Sequence, residues 1–325
     1  MPKPRSRVIG ARDQLIVLGY RLGWGLLRAV PERFARAAFR VGADLAWRRR
    51  GKGILRLRSN LARVLGPEVS SQRLDQVTRE AVRSYARYWM EIFRLSVIPQ
   101  DEIISRMDLA GEDRLWTAMQ RGQGLVVALP HMGNWDHAGA WLVLRGIPFT
   151  TVAERLEPAE VFDRFVAFRE SLGMEVLPLT GGASPPFRIL ADRLRAGGAM
   201  CLLSDRDLSR HGVAVQFFGA RATMPAGPAR LALDTGATLL PAVLWFENGG
   251  WGCQVYPPVD HTDVATMTQE LADAYAEAIA EHPQDWHMLQ RLWSDDLEPG
   301  RRPAAAADPD HEVDGSAATG GPAAV

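Results

Sequence analysis

The chain predicts an α/β fold, a mainly parallel central sheet flanked by helices and preceded by N-terminal membrane-associating helices. Three observations predict it. Short uninterrupted apolar runs, Leu125–Leu129 and Ala199–Ser204 above all, stop at turn residues, as strands buried on both faces do. From about residue 106 such runs alternate with helical patterns, which is how crossover connections between parallel strands read. Residues before that point show helical patterns only, and they are rich in arginine.

These shifts divide the chain into a helical, membrane-proximal region (1–105), an α/β core (106–298) and a tail (299–325). The tail is Ala, Gly, Pro and Asp with almost no large apolar side chains, so disorder is expected there. A length of 325 residues suffices to bury a sizeable core in one large domain or two. Formal net charge is zero, so no global field favours nucleic acid. Of the 38 basic residues only Lys3 and Lys52 are lysines, a bias that fits a GC-rich genome. Cys201 and Cys253 lack ligand spacing and read as buried small hydrophobes in a reducing compartment.

In chain order, Leu15 to Val30 is mostly apolar but interrupted by Arg21 and Arg28. It is too short and too charged for a good spanning helix and lacks a signal-peptide cleavage site. Arginines surround it: Arg5, Arg7 and Arg12 before, Arg33, Arg36, Arg40 and Arg48 to Arg50 after. That arrangement suits an interfacial helix on anionic lipid, and an amphipathic helix buried in the core is the alternative. Ile54 to Leu65 is a basic amphipathic helix; Ser71 to Val97 is a long one whose end turns aromatic. In the core, strands are expected at Leu125–Leu129, Thr150–Ala153, Glu175–Leu179, Ala199–Ser204, Val213–Phe217, Leu239–Phe246 and Cys253–Tyr256. Helices are expected at Asp113–Arg121, Trp135–Arg145, Ala159–Leu172, Pro186–Arg195, Pro228–Thr235 and Thr266–Glu281.

The chemistry concentrates after the first of those strands. Pro130 ends it, His131 follows, and a helix begins near Asn134, so His131 stands at the carboxyl end of a buried strand, where open α/β sheets place ligands. Five residues apart in one continuous helix would put His131 and Asp136 about 140° apart. With His131 in the turn and Asp136 in the first helical turn, the carboxylate can reach back to one ring nitrogen and leave the other as a base. An Asp that merely complements the helix dipole is the bland alternative. A metal site built on His131, Asp136 and His137, completed by Asp205 or Asp207, lacks the usual ligand spacing. Nucleophilic hydrolysis lacks a Gly-x-Ser-x-Gly elbow.

Several stretches occur together in order: Pro-His131-Met-Gly-Asn-Trp-Asp136, Ala153-Glu-Arg-Leu-Glu-Pro158, Phe168-Arg169-Glu-Ser-Leu-Gly173, Ser204-Asp205-Arg206-Asp207 and Gln216-Phe-Phe-Gly219. With Arg58-Ser-Asn-Leu61 and Tyr88-Trp-Met-Glu91 upstream, the chain over about residues 15 to 295 resembles the His-x4-Asp membrane lipid acyltransferases. The branch is that of lipid A lauroyl-type enzymes and phosphatidylinositol mannoside acyltransferases. The resemblance implies direct transfer of a palmitoyl group from acyl-CoA, a co-substrate with no further cofactor and no metal, to a mannose hydroxyl. His131 would be the general base and also meet the acyl-CoA. The acidic residue at the Asp205 position would partner the histidine, although that branch typically carries Glu there; an ion pair with Arg206 is the alternative.

Arg169 would reach a coenzyme A phosphate, or else pair with Asp163 or Asp192; Arg206 and His211 are further phosphate candidates. The aromatic end of the helix Ser71 to Val97 would be either core or the wall of an acyl tunnel. The expected partners are acyl-CoA, a glycolipid acceptor and anionic lipids at the cytoplasmic face of the inner membrane, bound peripherally. A lauroyl-type enzyme acting on lipid A or another glycolipid, and a non-catalytic lipid-binding protein, are the other readings. Oligomeric state has no signal in the sequence.

Overall fold

The computed structural model describes residues 25–154, 159–180, 186–207 and 212–296. Most of the apolar segment Leu15 to Val30, Arg155, His211 and the tail from 299 lie outside the described residues.

After helical residues 25–29 come three helices: α1 (Glu32–Arg49), α2 (Lys52–Leu65) and α3 (Ser71–Arg94). Ser70 caps α3, its Oγ accepting from the Arg73 N–H. The three helices share an apolar seam of Ala43, Leu57, Leu61, Leu74, Val77 and Ala81. On its edge Asp44 accepts bidentate hydrogen bonds from both Arg79 and Arg83, at 2.6 to 3.0 Å. Those guanidinium bonds hold the Asp44 carboxyl well below the usual carboxylate range.

The rest alternates: α4 (Gln100–Ser105), β1 (Met107–Ala110), α5 (Glu112–Gln120), β2 (Leu125–Leu129), α6 (Trp135–Leu144), β3 (Phe149–Ala153), α7 (Ala159–Ser171), β4 (Glu175–Pro178), α8 (Pro186–Arg195), β5 (Ala199–Leu203). There follow β6 (Val213–Phe217), β7 (Ala220–Met224), α9 (Gly227–Thr235), β8 (Thr238–Phe246), β9 (Trp251–Val255) and α10 (Val264–Glu281). Seven strands form one sheet in the order β1-β9-β8-β2-β5-β3-β4. Every pairing is parallel except β8 with β9. The expected α/β class with a mainly parallel sheet is what the chain adopts.

Helices cover both faces of the sheet, which is why its central strand β2 carries no polar face. Along β2, Leu125, Val127 and Leu129 pack with α3, α5 and α6, while Val126 and Ala128 pack with α8, α9 and α10. That is the period-two alternation of a pleated strand between two apolar layers.

Four elements depart from expectation. Val213–Phe217 forms where predicted, but in a separate hairpin with β7 that the sequence reading missed. Phe218 and Gly219, the two residues between these strands, both have positive φ (48° and 69°), the conformation of a type I′ hairpin turn. The reading also missed β1 and α4, a four-residue edge strand and a six-residue helix, both too short for periodicity to register.

Candidate active site

The site is built where two neighbouring parallel strands end. Leu129 of β2 pairs with Leu203 of β5. Two residues past Leu129 stands His131, and two residues past Leu203 stands Asp205, so the shared register brings the pair face to face. His131 Nδ1 lies 2.5 Å from Asp205 Oδ1, and the His131 backbone N–H donates to Asp205 Oδ2 at 3.0 Å. A third donor arrives from far along the chain: the Trp286 indole N–H, 3.0 Å from the same Oδ2. Asp205 is fully buried, whereas the His131 side chain is 32% exposed.

Burial alone would raise the Asp205 carboxyl, but the His131 ring and these donors outweigh it and hold the group below the usual carboxylate range. Asp205 is therefore an anion, and an anionic carboxylate only accepts hydrogen bonds. His131 must donate from Nδ1, which leaves the Nε2 lone pair available.

The turn that carries His131 is locally specified. Gly133 has φ +61°, and a Cβ there would come within 2.7 Å of the Leu244 carbonyl, so only glycine fits. Asn134 caps α6: its Oδ1 accepts from the His137 N–H at 3.0 Å, and its Nδ2 donates to Glu91 Oε2 at 2.8 Å. Glu91, almost fully buried on α3, also accepts from Trp251 Nε1 and Arg87 Nε. The quoted stretch Tyr88-Trp-Met-Glu91 thus anchors the helix that follows the histidine.

Asp136 does not fill the role expected of it. Its carboxylate accepts from Arg169 Nε at 2.6 Å, Arg169 Nη2 at 3.1 Å and Tyr88 OH at 3.0 Å. The reason is helical geometry: in the first turn of α6 the side chain points inward to α3 and α7, away from the imidazole. Arg169 is corrected with it. Rather than facing a coenzyme A phosphate, Asp163 or Asp192, its guanidinium pairs with Asp136 and is 19% exposed. Burial by itself would lower the Arg169 pKa, but the charge of Asp136 raises it, so the guanidinium keeps its charge.

Arg206 is half-buried and makes no ion pair with Asp205, whose partners are His131 and Trp286. His211 lies outside the described residues. His137 is fully buried and stacks on Trp251 with ring centroids 3.5 Å apart. Burial depresses its pKa to about 3. His131, Asp136 and His137 thus point in three directions, and no metal-ligand cluster forms among the described residues.

Beside the dyad runs an apolar cleft between α6 and one face of the sheet. Val127, Leu129, Leu203, Leu244 and Cys253 contribute to its floor, Trp135 and Trp141 to the opposite wall. The Asp136–Arg169 pair lines it too, and Trp135 packs edge-on against the His131 ring at 5.7 Å. Both cysteines are free, and burial raises both thiols, Cys253 to about 12. Tyr88 and Ile92, on the aromatic end of α3, are core residues that pack behind α6.

The sequence reading also missed the segment from Pro283 to Trp293. Trp286 reaches Asp205, and Asn60 of the Arg58-Ser-Asn-Leu61 stretch holds the carbonyls of Met288 and Gln290 at 2.8 and 3.0 Å. The available signal was composition: Trp286 and Trp293 lie in a segment without periodicity, and large aromatics there imply a packed strap.

The family described as "Bacterial lipid A biosynthesis acyltransferase" matches residues 8–295. A phosphatidylinositol mannoside acyltransferase of Mycolicibacterium smegmatis is 51% identical over 291 residues, 89% of this chain and 95% of the relative. The protein of the same name from Mycobacterium tuberculosis H37Rv is 51% identical over 307 residues, 93% of this chain and 95% of its own. A lipid A biosynthesis acyltransferase of Haemophilus influenzae is 22% identical over 201 residues, 61% of this chain and 62% of the relative. The chain belongs to the bacterial lipid A biosynthesis acyltransferase family.

Proposed function

We propose that the protein transfers a long acyl chain, palmitoyl by resemblance, from acyl-CoA to a mannose hydroxyl of a phosphatidylinositol mannoside. The single observation that carries this is the His131–Asp205 dyad beside an apolar cleft, with one imidazole nitrogen free. The names of relatives at 51% identity support the acceptor class.

In the proposed reaction His131 Nε2 takes the proton of the acceptor hydroxyl as its oxygen attacks the thioester carbonyl. Asp205 holds the ring through Nδ1–H and stabilises the imidazolium that forms. The tetrahedral intermediate then collapses, the carbon–sulfur bond breaks, and the imidazolium proton passes to the departing thiolate. The cleft holds the acyl chain and keeps water from the thioester. Asp136, fixed on Arg169 and Tyr88, shapes the cleft wall and takes no proton. Arg206 remains the described candidate for a coenzyme A phosphate.

The acceptor is a membrane lipid, so the site must work at a bilayer. No described helix is long and apolar enough to cross a membrane. On α1, Phe34, Val41 and Leu45 are 56%, 61% and 48% exposed, and their spacing puts them on one face. Arg33, Arg40, Arg48 and Arg49 are exposed on the same helix. Such a helix suits peripheral binding to the anionic cytoplasmic leaflet of the inner membrane.

The test offers palmitoyl-CoA with phosphatidylinositol, its mannosides or a lipid A precursor, and maps the product ester. Acylation at one position, on the mannose attached to inositol, with release of coenzyme A and plain phosphatidylinositol inert, is expected. Preferred acylation of the lipid A precursor would move the acceptor assignment to a lauroyl-type reaction.

A further inference from the structure

We propose that Trp286 is a positioning residue for acyl transfer: its indole N–H locks the Asp205 carboxylate in the rotamer that serves His131. The inference rests on the assignment of His131 as general base. Asp205 Oδ2 accepts from two N–H groups, the Trp286 indole and the His131 backbone, each at 3.0 Å. With Oδ2 engaged on both sides, Oδ1 is left to the His131 ring at 2.5 Å. A fully buried carboxylate that loses one of these donors keeps its charge but loses a fixed orientation.

The segment that delivers Trp286 also grips the histidine's own turn. His287 N–H donates to the His131 carbonyl at 2.8 Å, Gly133 N–H donates to the Asp285 carbonyl at 2.9 Å, and Met132 and Trp286 form an antiparallel bridge. The segment is itself tied down. Asp285 accepts from Ser84 Oγ of α3 at 2.6 Å and from the Phe246 N–H at the end of β8 at 3.1 Å. Both members of the dyad are thus referenced to one strap, and relative motion between β2 and β5 is not free to open the pair. Trp286 is fully buried and packs edge-on against Phe217, so a purely structural role is the alternative that a test must exclude.

Trp293 supplies the matched control. It is equally buried in the same segment, and its indole N–H bonds Asn60 Oδ1 at 3.0 Å instead of the dyad. Trp286→Phe and Trp293→Phe each remove one indole hydrogen bond from the core. Both are expected to lose comparable thermal stability. Only Trp286→Phe should lower kcat, by about 10-fold for one lost hydrogen bond to a charged group. KM for acyl-CoA should change less than twofold.

The discriminating readout is the pH profile of kcat/KM. Without the indole donor, more of the carboxylate's charge falls on the imidazole, which then holds its proton more tightly. The acid limb should move to higher pH in Trp286→Phe and stay in place in Trp293→Phe. A Trp286→Phe profile that superimposes on the wild type, while His131→Ala is inactive, overturns the inference alone. A fully active His131→Ala overturns the underlying assignment instead. Should circular dichroism show Trp286→Phe unfolded, 3-benzothienylalanine at position 286 keeps the bicyclic shape and replaces N–H by sulfur. It must shift the same acid limb, and an unshifted limb rejects the proposal.

Discussion

Asp136 and Asp205 are both buried aspartates near the carboxyl end of β2, and their surroundings give them opposite work. Asp136 faces a permanent cation: two guanidinium bonds and a tyrosine hydroxyl fix it. Asp205 faces an imidazole, and its other donors are an indole and a backbone N–H. A carboxylate neutralised by arginine cannot respond to a proton arriving on a neighbour. One that bonds only neutral donors besides the histidine can. What separates the two carboxylates is what each is paired with, not its spacing from His131.

The comparison can be broken most directly at the histidine. His131→Ala should lower acyl transfer by about 10²–10⁴-fold, the usual cost of a lost general base. Losing the ring also removes a hydrogen bond to the buried Asp205 carboxylate, worth about 1.5–3 kcal/mol, so the melting temperature should fall as well; retention of more than half the wild-type turnover would end the mechanism.

Next come the two aspartates themselves. Asp205→Asn keeps the shape but loses the charge that orients and stabilises the imidazolium, and a loss of about 10³–10⁴-fold in kcat is expected. Asp136→Asn should cost much less in kcat and more in stability. It leaves the Arg169 guanidinium buried without its anion, which typically costs about 3–5 kcal/mol. Chemical denaturation beside steady-state kinetics separates these outcomes. If Asp136→Asn were the catalytically worse variant, the assignment of roles would be reversed.

Smaller effects follow from pH. His137 and His287 are buried, which depresses each pKa to about 3, so folding keeps both neutral. As pH falls below about 6.5 the unfolded chain takes up protons that the folded one refuses. Stability should then fall by up to about 1.4 kcal/mol per pH unit for each histidine, until the folded pKa is reached. Asp205 adds a later loss of the same sign. Its folded pKa is lowered, so its contribution is present above about pH 4 and disappears as pH drops through the folded value. Melting curves should be level from pH 8 to about 6.5 and decline below it, with His287→Gln making the decline shallower.

The smallest expected effect concerns the N-terminal helices. Binding to anionic vesicles should weaken in high salt, because attraction between exposed arginines and lipid is screened over about 8 Å at physiological ionic strength. Salt-insensitive binding in a co-sedimentation assay would contradict a peripheral attachment.

Much of this architecture was legible in the sequence. Leu125–Leu129, Val213–Phe217 and Pro186–Arg195 form with the expected ends, and the other predicted core elements differ by a residue or two at a boundary. Their apolar periodicity is a local property, since each strand or helix carries its own burial pattern. The place of His131 was legible for the same reason: a buried run, a proline and a helix cap within ten residues fix a strand end.

Of the partners of His131, Asp205 was named only through the family resemblance and the Trp286 strap not at all, because both come from pairing at long range. Asp205 meets the histidine only because β5 lies beside β2 in register, 74 residues away in the chain. Arg169 takes Asp136 because α7 packs across α6, and Trp286 enters from a strap with no periodicity of its own. By itself the sequence determined the elements, the position of His131 and the family resemblance, since these rest on neighbouring residues. Only the tertiary structure decided that the His131 ring bonds Asp205 and Asp136 bonds Arg169, because a hydrogen bond of 2.5 to 3 Å depends on how separate elements pack.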